Sequence, residues 1–537
     1  MRLFRELLRR SWRTLVVAAA AGMIGGAGMV AILLLIRMFL IQGGATQLAI
    51  GVFAGACLAT FAARVGLQLL SVSLSRNAAA DLTLRVSRRM LASPLEWLET
   101  VGRARLQSVL IRDLPAIAQG LNAVPTICAS VPLLVACLVF LGISSVVVFS
   151  LVLAVVVLEF FVQALLLRRA QRQIDASFKQ QDSLAAQVRR LLEGVKELKL
   201  HRPRREAFLA DSLRGVVESE KRQGFSIQSQ LTLSGSWGRL SMFVVLGIVL
   251  IALPKWNYID RGSSFGYVIA IFIAMRPLET LKHQLPVLLR ARNALRRLDR
   301  LCLDCESAPE TEAIRPWPSD GWRRIELAGV SYRYPGEGGY RLGPLDVAFR
   351  RGEVVFLGGD NGSGKTTLVK LITGLYVPES GQIRVDGRPL PALHCETYRQ
   401  LFSAVFSDSH PFPASLGCDA SRSDETIRHW LSELRLDKLV SVEQGRLCFE
   451  ARLSRGQKAR LGLVAALIED RSFYVLDNWD SSQDPDIKRL VSKRLLPELK
   501  SRGKTVLLVS HDDRFRHAAD RVMRLEAGTL RQGAAEE

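Results

Sequence analysis

The chain has 537 residues, 49% of them hydrophobic, and a formal net charge of +21. Long uncharged runs fill much of its first half and then stop, which excludes a uniformly soluble protein. No nucleic-acid motif accompanies the positive charge, so we expect no nucleic-acid partner and assign the charge to basic residues near anionic lipid. Cys302 and Cys305 form a lone C-x-x-C pair without histidine partners, which we interpret as structural or incidental.

Apolar runs in the first half predict six membrane-spanning helices, because a span needs about 20 mostly apolar residues. The first run is too long and too uniform for a buried helix of a soluble protein. The third run is long enough for one span and the start of another. The runs are Leu15–Ile36, Leu48–Ala63, Val131–Leu158, Phe243–Leu253 and Phe265–Met275.

Basic residues predict the orientation of these spans. Arginines precede the first run and fill the long connections that begin near Arg76 and Arg168, whereas the tips at 42–47 and 142–145 carry no charge. Because basic loops stay in the cytoplasm, we expect both termini and both long connections there, in a multi-pass membrane protein. The first run is too long for a signal peptide and lacks a convincing cleavage site.

The long connections, Arg76–Asp113 and Arg168–Gln228, predict helices that continue well beyond the bilayer, since they exceed the length of simple connectors. Pattern breaks near Pro94 and Pro203 predict contact points with the soluble domain, although solvated helix ends give the same pattern. A stretch rich in proline and acids then predicts a linker. We therefore expect a transmembrane domain at 1–304, a linker at 305–321 and a soluble α/β domain at 322–537.

The most specific motif is Gly359–Thr366, whose sequence GDNGSGKT fits the phosphate-binding P-loop pattern G-x-x-x-x-G-K-[ST]. It lies between a strand-like run, Val354–Leu357, and a helix-like run, Leu368–Leu375, as the motif requires. Glycines let backbone N–H groups wrap the phosphates. Lys365 is expected to reach the β- and γ-phosphates, and the Thr366 hydroxyl to hold Mg²⁺.

Further segments of the soluble domain carry candidate nucleotide chemistry. Ser454 is placed to cap a helix whose free N–H groups suit a phosphate. Phe473–Asp477 is an apolar strand that ends in a carboxylate, the Walker B pattern for Mg²⁺. His511 follows a buried strand and is either a γ-phosphate contact or a loop histidine. Tyr332 and Tyr334 precede the P-loop, and each is either a base-stacking aromatic or a core strand residue.

These motifs occur in one order and at spacings similar to those of ATP-binding cassette (ABC) domains. With six predicted spans ahead of them, nearly the whole chain resembles an ABC exporter half-transporter. Finer features resemble the subgroup that exports cyclic peptides and peptide siderophores, the pyoverdine- and syringomycin-type exporters. Those features are Gly194–His201, Leu401–Asp408, Asn478-Trp479 and Gln483–Pro485.

The resemblance implies a membrane α-helical domain of six transmembrane helices with long cytoplasmic extensions, followed by an α/β P-loop ATP-binding cassette domain. It implies ATP and Mg²⁺ as cofactors, membrane lipid and a peptide-like substrate as partners, and a second half-transporter in a homodimer or heterodimer. The Mg²⁺ positions are Thr366 and Asp477, and the catalytic positions are Asn478, His511 and Asp484. The nucleotide-binding positions are Tyr334, Asn361, Gly362, Ser363, Gly364, Lys365, Thr366, Thr367, Ser454, Gly456 and Gln457.

The chain departs from the family pattern at Asn478, where the family carries the catalytic glutamate. Asparagine can hydrogen-bond the attacking water but cannot accept its proton at pH 7, so we expect ATP binding with impaired hydrolysis. Three explanations stay open: a degenerate half of a heterodimer, a slow homodimer helped by Asp480 or His511, or a chain altered to trap ATP. Ser407 stands where many cassettes carry the Q-loop glutamine, and neighbouring Asp408 is a further candidate Mg²⁺ ligand.

The sequence therefore predicts ATP-driven export of a peptide-like product by alternating access. A lipid or multidrug exporter is the alternative within transport, and an ATP-gated subunit that hydrolyses poorly is the alternative outside it. Ionisable residues in or beside the spans are candidates for substrate contact, and Glu159, the deepest in its run, is expected to face a cavity. These residues are Arg37, Arg64, Glu159, Arg239 and Arg276. The alternative is a side chain that snorkels to the membrane interface, which we favour for Arg37 and Arg276.

Overall fold

The computed structural model divides the chain into two compact units. One comprises Met1–Ser87 and Gln107–Leu303, and the other comprises Arg88–Leu106 and Asp304–Glu537. The structure describes residues 12–42, 47–256, 261–305, 321–335, 339–390, 395–408, 410, 424–443, 446–449 and 453–533. Outside that description lie most of the predicted linker and the side chains of Arg37, Cys302 and Cys305.

Long helices dominate the described part of the chain before residue 306. Short helices and π-helical turns interrupt them, the turns lying at Val109–Asp113, Phe208–Leu213 and Ile248–Ala252. The helices are α1 (Trp12–Gln42), α2 (Gln47–Leu91), α3 (Leu95–Val101), α4 (Arg103–Ser108), α5 (Leu114–Ser144), α6 (Val146–Glu193), α7 (Val195–Leu200), α8 (Arg202–Ala207), α9 (Arg214–Gly247), α10 (Leu253–Lys255) and α11 (Arg261–Cys305).

Three of these helices are longer than any bilayer requires. Helix α2 has 45 residues, α6 has 48 and α11 has 45. That makes each about 70 Å long, against a hydrocarbon core of about 30 Å. The prediction that spans continue as charged helices is therefore confirmed. Among the described residues, 4 stretches are long and apolar enough to cross a membrane: Ile50–Leu91, Arg103–Ser144, Val146–Arg168 and Arg202–Lys255.

Small residues let the helices of the first unit approach closely. A Cβ added to Gly22 of α1 would lie 2.8 Å from the Cα of Ala129 in α5. One added to Gly120 of α5 would lie 2.2 Å from the Cβ of Ala291 in α11. Membrane helices favour such contacts, because packing rather than hydrophobic burial drives their association. Helix α5 is thereby held against both α1 and α11.

A buried charge pair joins three helices of the same unit. Lys282 of α11 donates a hydrogen bond of 2.7 Å to Glu159 of α6, and Ser241 of α9 donates one of 2.5 Å to its other oxygen. The side chains of Lys282 and Glu159 are only 8% and 1% exposed. The expectation that Glu159 faces a cavity is therefore wrong, because Lys282, which the sequence did not single out, neutralises it within the helix packing.

Three further ionisable residues predicted near the spans, whose side chains the structure describes, lie at the surface of this unit. Arg64 and Arg276 are exposed. Arg239 is also largely exposed and lies 3.8 Å from Glu279.

The second unit is an α/β domain, as the sequence predicts. Its described strands are β1 (Arg324–Arg333), β2 (Arg341–Arg350), β3 (Val354–Gly359), β4 (Ser380–Val385), β5 (Arg388–Pro389), β6 (Phe402–Val405), β7 (Val440–Glu443), β8 (Arg446–Phe449), β9 (Phe473–Asp477), β10 (Thr505–Val509), β11 (Arg521–Glu526) and β12 (Thr529–Gly533). Its described helices are α12 (Lys365–Ile372), α13 (Cys395–Arg399), α14 (Asp424–Glu433), α15 (Arg455–Glu469), α16 (Pro485–Leu490), α17 (Leu496–Ser501) and α18 (Asp513–Arg516).

A six-stranded sheet forms the centre of this unit. The six-stranded sheet runs β12-β11-β3-β10-β9-β6 and is parallel except for β12. An antiparallel sheet, β2-β1-β4-β5, and the hairpin β7-β8 complete the described strands. Alternate residues of β3, β9 and β10 enter two separate cores on opposite faces of the sheet. Burial on both faces explains why these strands are continuous apolar runs.

Three parallel strands end at the same level. Val509 of β10 pairs with Leu357 of β3 on one side and with Asp477 of β9 on the other. The P-loop follows β3, Asn478 follows β9 and Ser510 follows β10. Open parallel sheets bind ligands beyond the carboxyl ends of their strands. This edge is therefore the candidate site.

Helix α3 packs against the α/β domain, at the first predicted break. The chain leaves its helix after Leu91, and Leu95 packs against the domain core. Glu99 accepts a hydrogen bond of 2.8 Å from Lys370 of α12 and another from the hydroxyl of Tyr376. Burial raises the pKa of Glu99, but these hydrogen bonds outweigh it and leave the pKa below its ordinary value. The second predicted break falls at His201, between α7 and α8.

We expect Lys282→Met to destabilise the protein strongly, because it strands the buried Glu159 carboxylate. Removing one partner of a buried pair costs about 3–5 kcal/mol, whereas removing both charges is often nearly neutral. Thermal unfolding of the chain in detergent should show a large fall in Tm for Lys282→Met. The double variant with Glu159→Gln should recover most of it, and a double variant as unstable as the single one would contradict this account.

Candidate functional site

The P-loop has the geometry that phosphate binding requires. Gly359 has a φ of 139° and Gly364 a φ of 98°, values that favour glycine. A Cβ added to Gly359 would lie 2.3 Å from the carbonyl oxygen of Leu525. Lys365 donates hydrogen bonds of 2.8 Å to the carbonyls of Gly359 and Asp360. Burial lowers the pKa of Lys365, and the nearby carboxylates of Asp477 and Asp360 partly offset this.

Thr366 and Asp477 fit a Mg²⁺ ion. The Thr366 hydroxyl donates a hydrogen bond of 2.9 Å to Asp477 Oδ2. The other carboxylate oxygen, Oδ1, is buried without a hydrogen-bond partner among the described residues. Burial raises the pKa of Asp477, and the charge of Asp408 adds to this. Oxygen ligands of this kind are those that Mg²⁺ prefers, and the ion would neutralise charge on the β- and γ-phosphates.

Asp408 takes a more peripheral position than Asp477. Its side chain is 77% exposed, and its carboxylate lies 3.7 Å from the Arg103 guanidinium. Its effect on the Asp477 carboxyl indicates that the two charges are near one another. The structure therefore brings Asp408 toward the site, on its solvent side.

Two tyrosines of the β1–β2 connection contact the P-loop and its helix. The Tyr334 hydroxyl lies 2.9 Å from Thr367 Oγ1, and its ring packs edge-on against Tyr332 at 5.3 Å. Tyr332 is buried in the core. Of the two tyrosines predicted to stack on a nucleotide base, Tyr334 is therefore the one that remains available. Tyr340 donates a hydrogen bond of 2.6 Å to the carbonyl of Ser363. Tyr340 was not predicted from the sequence, where the sign of its role is its place just after a glycine-rich stretch.

The segment Leu453–Gln457, which we call the signature segment, opens helix α15 as predicted. Ser454 caps this helix by accepting a hydrogen bond from the Gln457 backbone, and the Gln457 side chain accepts one from the Ser454 backbone in return. Gly456 lies against the next loop, where an added Cβ would be 2.4 Å from the carbonyl oxygen of Ser482. Gln483 donates a hydrogen bond of 3.1 Å to the Gly456 carbonyl. The helix N-terminus is thus rigid and offers N–H groups to a phosphate.

Two of the three predicted catalytic positions lie at the ends of β9 and β10. Asn478 directly follows Asp477, has a φ of 51° and donates its backbone N–H to the Val509 carbonyl at 2.9 Å. His511 is exposed, one residue beyond Ser510. Asp484 is exposed at the start of α16 and makes no side-chain capping bond there. Asn478 and His511 therefore lie at the strand edge, and Asp484 lies at the domain surface.

Comparison with known proteins identifies the family. A family model described as ABC transporter matches residues 342–481, and one described as ABC transporter transmembrane region matches residues 14–274. The ATP-binding protein SyrD of Pseudomonas syringae pv. syringae is 30% identical over 524 residues, which cover 95% of this chain and 92% of that protein. The chain belongs to the ABC transporter family. Its nucleotide-binding domain is a transport ATPase domain, which implies ATP binding.

A flippase and a solved exporter structure are also similar to this ABC transporter along most of its length. An ATP-dependent lipid A-core flippase of Ralstonia nicotianae is 26% identical over 85% of this chain and 79% of the flippase. The structure of a bacterial Atm1-family ABC exporter with ATP bound matches with a TM-score of 0.77 and 16% identity, over 98% of this chain and 95% of that one. The protein is therefore a membrane-bound ABC exporter half-transporter with one transmembrane domain and one cassette.

We expect Tyr340→Phe to weaken ATP binding to the half-transporter, because the P-loop loses the hydrogen bond at the Ser363 carbonyl. A bond worth about 1 kcal/mol corresponds to roughly a fivefold rise in Kd. Titration with a fluorescent ATP analogue would measure this. Tyr474→Phe is the matched control, since the Tyr474 hydroxyl bonds Asp470 away from the P-loop. An unchanged Kd for Tyr340→Phe would exclude this role.

Proposed function

We propose that this chain drives the export of a peptide-like product, such as a cyclic peptide, a modified peptide or a siderophore precursor, across a bacterial inner membrane. Alternating access between its two sides would carry the substrate. The proposal rests on one observation. The same chain has helices long and apolar enough to cross a membrane and an ordered site, built from Lys365, Thr366 and Asp477, that fits ATP. Basic residues beside the apolar runs support a cytoplasmic location for both termini and the cassette.

We infer that two half-transporters act together, because one chain supplies only half of each composite ATP site. The domains are the transmembrane domain at 1–304, the linker at 305–321 and the cassette at 322–537. In each site, Tyr334 stacks on adenine, the P-loop residues Asn361–Thr367 hold the phosphates, and Thr366, Asp477 and Asp408 serve Mg²⁺. Ser454, Gly456 and Gln457 close over the nucleotide of the second chain. Asp484 and His511 complete the site at the dimer interface.

The substrate class rests on the relatives. SyrD aligns along almost the whole chain at 30% identity, and the sequence features at Gly194–His201 and Gln483–Pro485 resemble peptide exporters. The lipid A-core flippases favour a lipid as second candidate, since one of them aligns with 85% of the chain. The lower identity of 26% ranks the lipid substrate behind the peptide.

We also infer that hydrolysis is slow in this chain. Asn478 stands where a general base would take the proton of the attacking water, and its amide cannot accept that proton. Lys365, Thr366 and Asp477 make their contacts without the Asn478 side chain, so we expect nucleotide binding not to depend on it. The slow site favours either a heterodimer with a competent partner or a slow homodimer.

We expect Asn478→Glu to raise ATP turnover by about 10²-fold or more, the effect of restoring a general base. Purified chain in lipid nanodiscs, assayed for phosphate release at saturating ATP, would measure it. Gln382→Glu, at an exposed position of β4 outside the P-loop, is the control for added charge and should not raise turnover. An ordinary rate in the original chain, unchanged by Asn478→Glu, would show that another residue carries the chemistry.

Transport itself is tested in the Asn478→Glu background with inside-out vesicles. We expect ATP-dependent uptake of a cyclic peptide in preference to lipid A. Glu99→Gln removes the carboxylate that joins α3 to Lys370 and Tyr376, so we expect it to abolish uptake while ATP turnover continues. Thr100→Ala is the control on the same helix, because Thr100 bonds only within α3. Preferred uptake of lipid A would overturn the peptide proposal.

A further inference from the structure

A chain of polar contacts lies directly beneath the strand edge that bears His511. Ser510 donates a hydrogen bond of 2.7 Å to Asp480 Oδ2 and accepts one of 2.9 Å from the Asp512 backbone. Lys488 donates a hydrogen bond of 3.0 Å to Asp512 and lies 3.9 Å from Asp480 Oδ2. Two carboxylates therefore share a single ammonium group, and the Ser510 hydroxyl bonds one of them.

The network is buried, so its charges depend on one another. The Lys488 side chain is 16% exposed, that of Asp512 is 15% exposed and that of Asp480 is 6% exposed. The Oδ1 atom of Asp480 has no hydrogen-bond partner among the described residues. A buried carboxylate so sparsely solvated needs its cation, because the penalty for an unpaired buried charge is large. Lys488 is the nearest cation recorded for Asp480.

The network holds both neighbours of His511. The side chain of His511 is exposed, so packing does not fix it. Its position follows from the backbone, which is anchored at Ser510 on one side and at Asp512 on the other. Arg514 and Lys488 both donate hydrogen bonds to Asp512 and lower the pKa of this carboxyl to about 2. The Arg514 hydrogen bond is the larger cause. Asp512 is therefore ionised throughout the physiological range and keeps its ion pair.

The same network begins in two segments of the nucleotide site. Asp480 lies two residues after Asn478, in the short helical turn Trp479–Ser482. Lys488 lies on α16, four residues after Asp484. A displacement of either segment must therefore move the anchors of His511.

We propose that Lys488 and Asp480 are positioning residues for ATP hydrolysis, which hold His511 at the strand edge and link it to the segment that bears Asp484. This rests on the proposed function only in assuming that the cassette hydrolyses ATP. We assign neither residue a contact with the nucleotide. Each acts through the backbone on both sides of His511.

The kinetic test uses the Asn478→Glu chain as parent, in nanodiscs. Lys488→Met should lower kcat about 10-fold to 100-fold with the KM for ATP unchanged, the size of effect expected when a catalytic group loses its support. Lys488→Arg should restore most of the rate, because a guanidinium reaches both carboxylates. Arg489→Met is the matched control, since Arg489 is exposed and pairs with Asp486 instead. Equal kcat values for Lys488→Met and the parent would overturn the proposal.

A second variant guards against misfolding. Asp480→Asn combined with Lys488→Met leaves no stranded carboxylate, because Asp512 keeps its ion pair with Arg514, while Ser510 keeps an acceptor. This variant should fold and should lose kcat as Lys488→Met does. A folded double variant with the parent's kcat would also overturn the proposal.

A third measurement does not require hydrolysis. Carbethoxylation of His511 by diethyl pyrocarbonate, followed by peptide mass spectrometry of the full nucleotide-free chain, reports how freely this side chain is presented. The rate should rise in Lys488→Met and stay at the parent's value in Lys488→Arg and Arg489→Met. If no variant hydrolyses ATP, the proposed function fails, yet the labelling rates still decide the positioning role. An equal rate in Lys488→Met and the parent would contradict that role.

Discussion

The nucleotide site depends on one constraint, the register of three parallel strands. Because β9 pairs in step with β10, and β10 with β3, their carboxyl ends meet at one edge. This brings the Thr366 hydroxyl to 2.9 Å from Asp477 Oδ2, although 111 positions separate the two residues. A slip of one residue in β9 would turn the Asp477 side chain to the other face of the sheet. The P-loop, the Mg²⁺ ligands and the anchors of His511 therefore all take their positions from the pairing of buried apolar strands.

The backbone conformation at position 478 suits asparagine better than it suits most residues. Its φ of 51° lies in the left-handed region. Ordinary residues pay about 1–2 kcal/mol for that conformation, whereas asparagine adopts it more readily because its short polar side chain bonds locally. Asparagine at this position thus relieves a local backbone cost while it removes a proton acceptor. On the proposed function, asparagine here leaves Lys365, Thr366 and Asp477 untouched, so ATP binding would persist while hydrolysis slows.

The sequence predicted those parts of the protein whose chemistry is contained in a short segment. The P-loop, the strand that ends at Asp477 and the cap at Ser454 each lie within a few residues, and the structure has all three. The long helices followed from apolar length and charge. Contacts between distant segments escaped prediction: Lys282 meets Glu159 across 123 positions, and Tyr340 meets Ser363 across 23. Neither partner carries a local sign of the other, since only the packing of helices and strands brings them together.

On the proposed function, the loss of a base at Asn478 affects only the step that ends the closed state. Closure draws on the P-loop N–H groups, Lys365 and the helix N-terminus at Ser454, none of which involves the Asn478 side chain. The loop after β9 stays attached to helix α15, because Gln483 donates a hydrogen bond to the Gly456 carbonyl and Trp479 donates one to the Ala459 carbonyl. A chain that closes normally but hydrolyses slowly suits one half of a pair, because hydrolysis at the other site opens both. In a homodimer the same chain would spend most of its cycle closed around ATP.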